Sequence, residues 1–306
     1  MPVLLPHLRA ACRKQVAFGA AVIFATLAPC AHASQLVDRN ATHVSLAVND
    51  KGEALVTYTT GTGVRHVLAW GAVNAIPPTR ARPQVAFSLD YAGGYGKYHK
   101  QYWRTFAGTC APYDGPALAW EVTACTAPDG SYWALQSWQR MLPDYGARPT
   151  AGQAAWELRL SHWTGDLPQL TVMTDWAWRT WDHLFGTFAY AGRPVFGFKS
   201  TSSGAPLDSF GRNVYLDTLD SAYGPGWRRE NSFLTHTSTG AFCYAFTPHA
   251  HHPAGSGVRY RATVEGPGAT PDVMWEGRAP GRFDPRLDAA ANELERGLHD
   301  PRCRAN

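Results

Sequence analysis

Catalytic signatures are what this sequence most plainly lacks. No serine stands in a G-x-S-x-G context, and H-E-x-x-H, P-loop and EF-hand patterns are missing. Their absence argues against the common serine hydrolases and zinc peptidases. No C-x-x-C occurs, and the cysteine spacings do not suit zinc. Gly93, Gly94 and Gly96 begin something like a phosphate-cradling loop, but His99 stands where the third glycine of G-x-G-x-x-G belongs. No cofactor is expected there. Regular alternation of helical and strand patterns is missing too, which argues against an α/β fold.

Charge is thin, at 17% of residues, and shows no basic run. Arg9, Arg13 and Lys14 precede an uncharged stretch, Val16 to Ala28, and then the small residues of Ala31-His32-Ala33. This reads as a secretory signal of residues 1–33, cut before Ser34. The apolar stretch is shorter than the roughly 18 residues of a spanning helix, and no later stretch is long enough. Pro29 before Cys30 suits a lipoprotein site poorly. Without the signal, 25 Lys and Arg face 24 Asp and Glu among residues 34–306. Such a near-neutral chain is not expected to bind nucleic acid or anionic membrane surfaces.

Cys110, Cys125, Cys243 and Cys303 remain after the cut. An even number in an exported chain points to two disulfides. Three pairings exist; Cys110–Cys125 with Cys243–Cys303 is favoured because the first closes a short, turn-rich loop. It would contribute about 3 kcal/mol in the chain-entropy model.

What the sequence has in quantity is strand pattern. Residues 44–75 alternate with period two around Asn49-Asp50-Lys51-Gly52 and Gly61-Thr62-Gly63, a three-stranded meander. About 35 such residues make a poor independent domain, so the segment 34–76 is expected to pack on the rest. A hairpin is expected about Ala127-Pro128-Asp129-Gly130, and another about Ala191-Gly192-Arg193-Pro194. The run 156–163 is the cleanest half-buried strand. The one good helix starts at an Asp284 cap with Pro285 in its first position. Leu287, Ala290, Ala291, Leu294 and Leu298 mark its apolar face. The fold expected is all-β, a mainly antiparallel sandwich or barrel-like pair of packed sheets, with one C-terminal helix.

Residues 207–236 mix both signs of charge with aromatics, as a binding surface does and as tight turns do. Asp217 shares a strand face with Tyr215, and Trp227, Arg229 and Glu230 arrive after a turn. Asp217 with Glu230 is therefore the candidate carboxylate pair for glycoside cleavage, with Asp175 as a further candidate. Eight of the twelve tryptophans lie between residues 118 and 181. Alternation puts Trp156 in the core and Trp163 on the polar face. Trp163, Trp176, Tyr215, Trp227 and Arg229 are the candidate ligand-binding residues, for stacking and bonding sugar rings. His249, His251 and His252 form too thin a set for a metal site, and His162 and His236 stand singly. Three functions stay open: an exported or envelope-associated protein that binds extracellular or cell-wall glycan, a carbohydrate hydrolase, or a structural interaction module.

Overall fold

In the computed structural model, the described residues are 34–76, 84–141, 154–195, 199–200, 206–207, 213–234, 239–249, 253–301 and 303. The expected signal, His236, His251 and His252 lie outside them.

The chain opens with β1 (Gln35–Arg39), β2 (Thr42–Val48), β3 (Glu53–Thr60), β4 (Gly63–Trp70) and β5 (Ser88–Asp90). One helical turn, α1 (Tyr95–Tyr98), follows, then β6 (Ala111–Pro112), β7 (Glu121–Thr126), β8 (Tyr132–Met141) and β9 (Ala154–Trp163). Next come β10 (Gln169–Ala177), β11 (Trp181–Tyr190), β12 (Arg193–Pro194), β13 (Lys199–Ser200) and β14 (Pro206–Leu207). The last elements are β15 (Asn213–Ser221), β16 (Gly224–Leu234), β17 (Ala241–Ala245), β18 (Arg259–Val264), β19 (Val273–Arg278) and α2 (Pro285–Gly297).

Among the described residues, apart from the short β13–β14 pair, the strands form four antiparallel sheets, none closed into a barrel. The meander β2-β3-β4-β5 is one sheet, and β1-β9-β8-β7-β6 another. The third runs β16-β15-β18-β19, and in the fourth β10, β12 and β17 all pair with β11. The N-terminal segment is therefore divided. Asn40 turns the chain at φ 54°, so β1 pairs with β9 while β2 enters the meander.

Period-two patterning sets how the sheets stack. Val48, Val56 and Val67 of the meander bury against Trp133, Leu135, Leu158 and Leu160. Val214, Leu216, Ala262 and Val264 bury against Val172, Leu184, Phe188 and Phe242. The β9 sheet and the β15 sheet face one another across polar groups: Tyr215 tilts onto Trp138 with ring centroids 5.5 Å apart, and Arg159 meets Glu265 at 2.6 Å. Two apolar cores thus flank one buried, charged layer.

That layering corrects the reading of 156–163. The strand is buried on both faces, because its sheet has a neighbour on each side. Glu157, Arg159 and Ser161 face the charged layer and are buried, and Trp163 farther along the strand is buried too. Trp156, at the strand's outer end, is 49% exposed. The helix is corrected in the same way. Asp284 caps it through Oδ1, which accepts from the backbone nitrogens of Arg286 and Leu287. Its buried residues, however, are Asn292 and Glu295, while Leu287 and Leu294 are exposed. The polar face is turned inward because His183 and Asp175 wait there.

The cysteines pair as Cys110–Cys125 and Cys243–Cys303, with Cα separations of 5.8 and 5.5 Å. The second bond ties the tail after α2 to β17. Among the described residues, no helix is long and apolar enough to cross a membrane.

Candidate functional site

Asp217 lies in a charge ladder across four strands. The register places Arg229 of β16 opposite Asp217 of β15, Arg261 of β18 opposite Asp217 on its other side, and Glu276 of β19 opposite Arg261. Arg229 Nε donates to Asp217 Oδ1 at 2.7 Å, and its guanidinium lies over the Tyr215 ring at 4.7 Å. Arg261 packs over Trp227 at 3.9 Å and over Trp120 at 5.7 Å. Opposite charges directly across strands stabilise a sheet, and cations over indoles add to that.

Glu230 does not join Asp217. The pairing slips between Leu216↔Asn231 and Asp217↔Arg229, so Glu230 is the extra residue of a β-bulge. Its Oε1 accepts from the Tyr244 hydroxyl at 2.8 Å, in the next sheet. Each carboxylate is engaged by a different layer. Asp175 has a third partner. His183 stands opposite it on β11, and Nδ1 of His183 donates to Asp175 Oδ1 at 2.7 Å. Nε2 of the same ring faces Glu295 Oε1 at 3.9 Å. Burial pushes the Glu295 carboxyl up, partly offset by His183. His183, Glu295 and Cys243 could place a nitrogen, an oxygen and a sulfur within 4.8 Å of one another. The sulfur is already bonded to Cys303, leaving two donors where a transition metal wants three or four.

The expected ligand-binding residues are dispersed. Trp163 is buried beside Tyr113 and Tyr132. Trp176 is buried, donates from Nε1 to the Gly281 carbonyl at 2.9 Å, and meets Phe283 edge-on. Tyr215 and Arg229 are buried in the charged layer, and Trp227 is half-buried over Arg261. The expected exposure of Trp163 and the expected burial of Trp156 are thus reversed.

A concavity lies elsewhere, at the open end between the meander and the β9 sheet. It encloses about 350 Å³ and is lined by Asp38 and Arg39 of β1, Tyr58 and Thr60 of β3, Arg65 of β4, and Tyr91. Its volume falls in the roughly 300–1,000 Å³ range of small-ligand clefts. Tyr91 is 57% exposed and anchored by its hydroxyl to the Val37 carbonyl at 3.1 Å. Arg39 reaches Glu157 at 3.1 Å while half exposed. Burial, then the adjacent Asp38 carboxylate, pushes the Tyr58 phenol far up, so it stays a protonated donor. Just beyond β1, the Trp156 backbone N–H donates to Asn40 Oδ1 at 3.0 Å, and its carbonyl accepts from Asn40 N at 2.7 Å. Sequence reasoning missed this place because β1 is only five residues long. The alternation in Gln35-Leu36-Val37-Asp38-Arg39 was the signal that could have shown it.

His249 is exposed, with Nδ1 at 3.0 Å from the Thr247 carbonyl. His162 is stacked on Trp133 and bonded to the Ala72 carbonyl and Ser131. Burial pushes it down, as for a structural neutral imidazole. Compared with known proteins, the chain matches no family model, no curated protein and no solved structure.

Proposed function

We propose that this is an exported, non-catalytic binding protein whose ligand is extracellular or cell-wall glycan, taken at the cleft beside Tyr91. The observation that carries the reading is the make-up of that cleft. An exposed tyrosine ring offers a face for the C–H side of a sugar. Arg39, Arg65 and Asp38 offer charge-assisted bonds to hydroxyls at its edge. Asp217, Glu230 and Asp175 each already serve a different partner, which favours binding over cleavage. Export rests on the signal pattern of residues 1–33, and the two disulfides are compatible with an oxidising compartment.

The test is a glycan array followed by calorimetry on residues 34–306, with hydrolysis followed on every hit. A bound glycan that loses at least tenfold in affinity in Tyr91→Ala and Arg65→Ala, without turnover, supports the proposal. Turnover abolished in both Asp217→Asn and Glu230→Gln would replace it with the hydrolase reading. Absence of binding across the array, with the fold intact, would leave the interaction-module reading in its place.

A further inference from the structure

At the centre of the charged layer between the β9 and β15 sheets, one buried guanidinium, Arg159, serves several carboxylates. Arg159 Nη2 lies 2.7 Å from Glu157 Oε2 and 2.6 Å from Glu265 Oε1, and Nε lies 3.8 Å from Asp272 Oδ2. Arg39 reaches Glu157 from the solvent side. Arg159 is thus shared among Glu157, Glu265 and Asp272, and it stands farthest from Asp272. Neutral donors also serve Asp272 and Glu265. Trp138 Nε1 donates to Asp272 Oδ2 at 2.7 Å, the Gly266 N–H to Asp272 Oδ1 at 2.8 Å, and the Tyr215 hydroxyl to Glu265 at 3.1 Å. Burial pushes the Asp272 carboxyl up, and Arg159 offsets this only in part. A buried carboxylate short of positive charge is costly.

Ser34 is built into this cluster. Its hydroxyl donates to Asp272 Oδ1. Its carbonyl accepts from Arg159 Nη1 at 3.1 Å, and its backbone nitrogen donates to the Gly266 carbonyl at 3.2 Å. These partners lie 125 or more residues away along the chain. A separate observation meets it there: Ala31-His32-Ala33 places the signal cut at the bond just before Ser34.

We infer that cutting the Ala33–Ser34 bond supplies a further positive charge, the new Ser34 α-ammonium binding as the ion-pair partner of Asp272 beside Arg159. The inference rests on the export reading. A signal peptidase adds one water across the amide, leaving a carboxylate on Ala33 and an ammonium on Ser34. An amide nitrogen has one N–H, which is spent on Gly266. An ammonium has three, so two more become available to the carboxylates. Processing thus completes the core of the folded protein.

The test is a four-protein cycle: the chain starting at Ser34, made by a protease that leaves no extra residue, and the chain carrying a Gly-Ala extension, each with Asp272 or Asp272→Asn. The extension is expected to lower Tm by roughly 5–10 °C with Asp272 present, and by less than half as much in Asp272→Asn. In the Ser34-start protein the α-amine, followed by NMR after ¹³C-methylation, should titrate at least about one unit above its ordinary value near 8. That titration needs no variant, and Glu265→Gln replaces Asp272→Asn if the latter does not fold. Equal Tm values for extended and Ser34-start chains, with an ordinary α-amine titration, overturn the inference alone. An exported protein whose mass shows a first residue other than Ser34 overturns the export reading and the inference with it.

Discussion

Glu53 anchors the loop after β5 to the start of β3, and replacing it by Gln tests how that anchor works. The carboxylate is buried, at 2% exposure. It accepts from Lys97 Nζ at 2.7 Å, Asn49 Nδ2 at 2.8 Å and the Tyr102 hydroxyl at 3.1 Å, and also from the Tyr98 hydroxyl. Burial alone pushes this carboxyl up. The four donors outweigh it and hold the group at about 2, against an ordinary 4.5. A depressed folded value means that the stabilisation is fully present above about 4.5 and is lost as pH falls toward 2. It amounts to about 3 kcal/mol at neutral pH. Glu53→Gln should therefore lower stability by about 3 kcal/mol at pH 7, a Tm loss of roughly 5–10 °C. By pH 2 the difference should shrink below about 1 kcal/mol. Urea unfolding followed by tryptophan fluorescence, run from pH 2 to pH 7 on both proteins, reads this directly. A gap that is constant with pH, or absent at pH 7, would refute the idea that the ionised carboxylate is the anchor.

The inverted helix makes two predictions. Leu287→Lys and Leu294→Lys should each change stability by less than about 0.5 kcal/mol in chemical denaturation, because both side chains are exposed. Glu295 faces His183, with the Asp175 and Asp288 charges nearby, and burial raises its carboxyl. A raised folded value means that its contribution is present at low pH and lost as pH rises through that value. Glu295→Gln should thus gain on the parent protein between pH 4 and pH 8, and a difference independent of pH would contradict this. For the disulfides, Cys243→Ser with Cys303→Ser should cost more than Cys110→Ser with Cys125→Ser, about 4 against about 3 kcal/mol. The reason is that the bonds close separations of 60 and 15 residues. The two double variants, compared by thermal denaturation, check the order.

Much of the architecture was legible because it is local. The turns at Asn49 to Gly52 and at Ala127 to Gly130 sit where their residues put them, and the strands around them follow period two. The Asp284 cap and Pro285 start the helix for reasons contained in four residues. What was not legible is how many sheets cover each strand. A strand with one neighbouring sheet and one with two carry the same alternation, so β9 was read as half-buried. Its polar residues are instead inside, satisfied by Ser34, Glu265 and Asp272 from distant parts of the chain.

The same division runs through the candidate site. Asp217 and Glu230 were close enough in sequence to suggest a pair, but a single bulge gives them different partners. The cleft at Tyr91 draws on β1, β3, β4 and the turn after β5, and no window of sequence holds them together. By itself, then, the sequence determined strand and turn positions, the helix start and the count of cysteines left to pair, because these depend on backbone preference and chain-local chemistry. Only the tertiary structure decided which faces are buried and which carboxylate meets which cation. Those outcomes depend on how sheets from distant parts of the chain stack, where burial makes each charge seek whatever partner comes within reach.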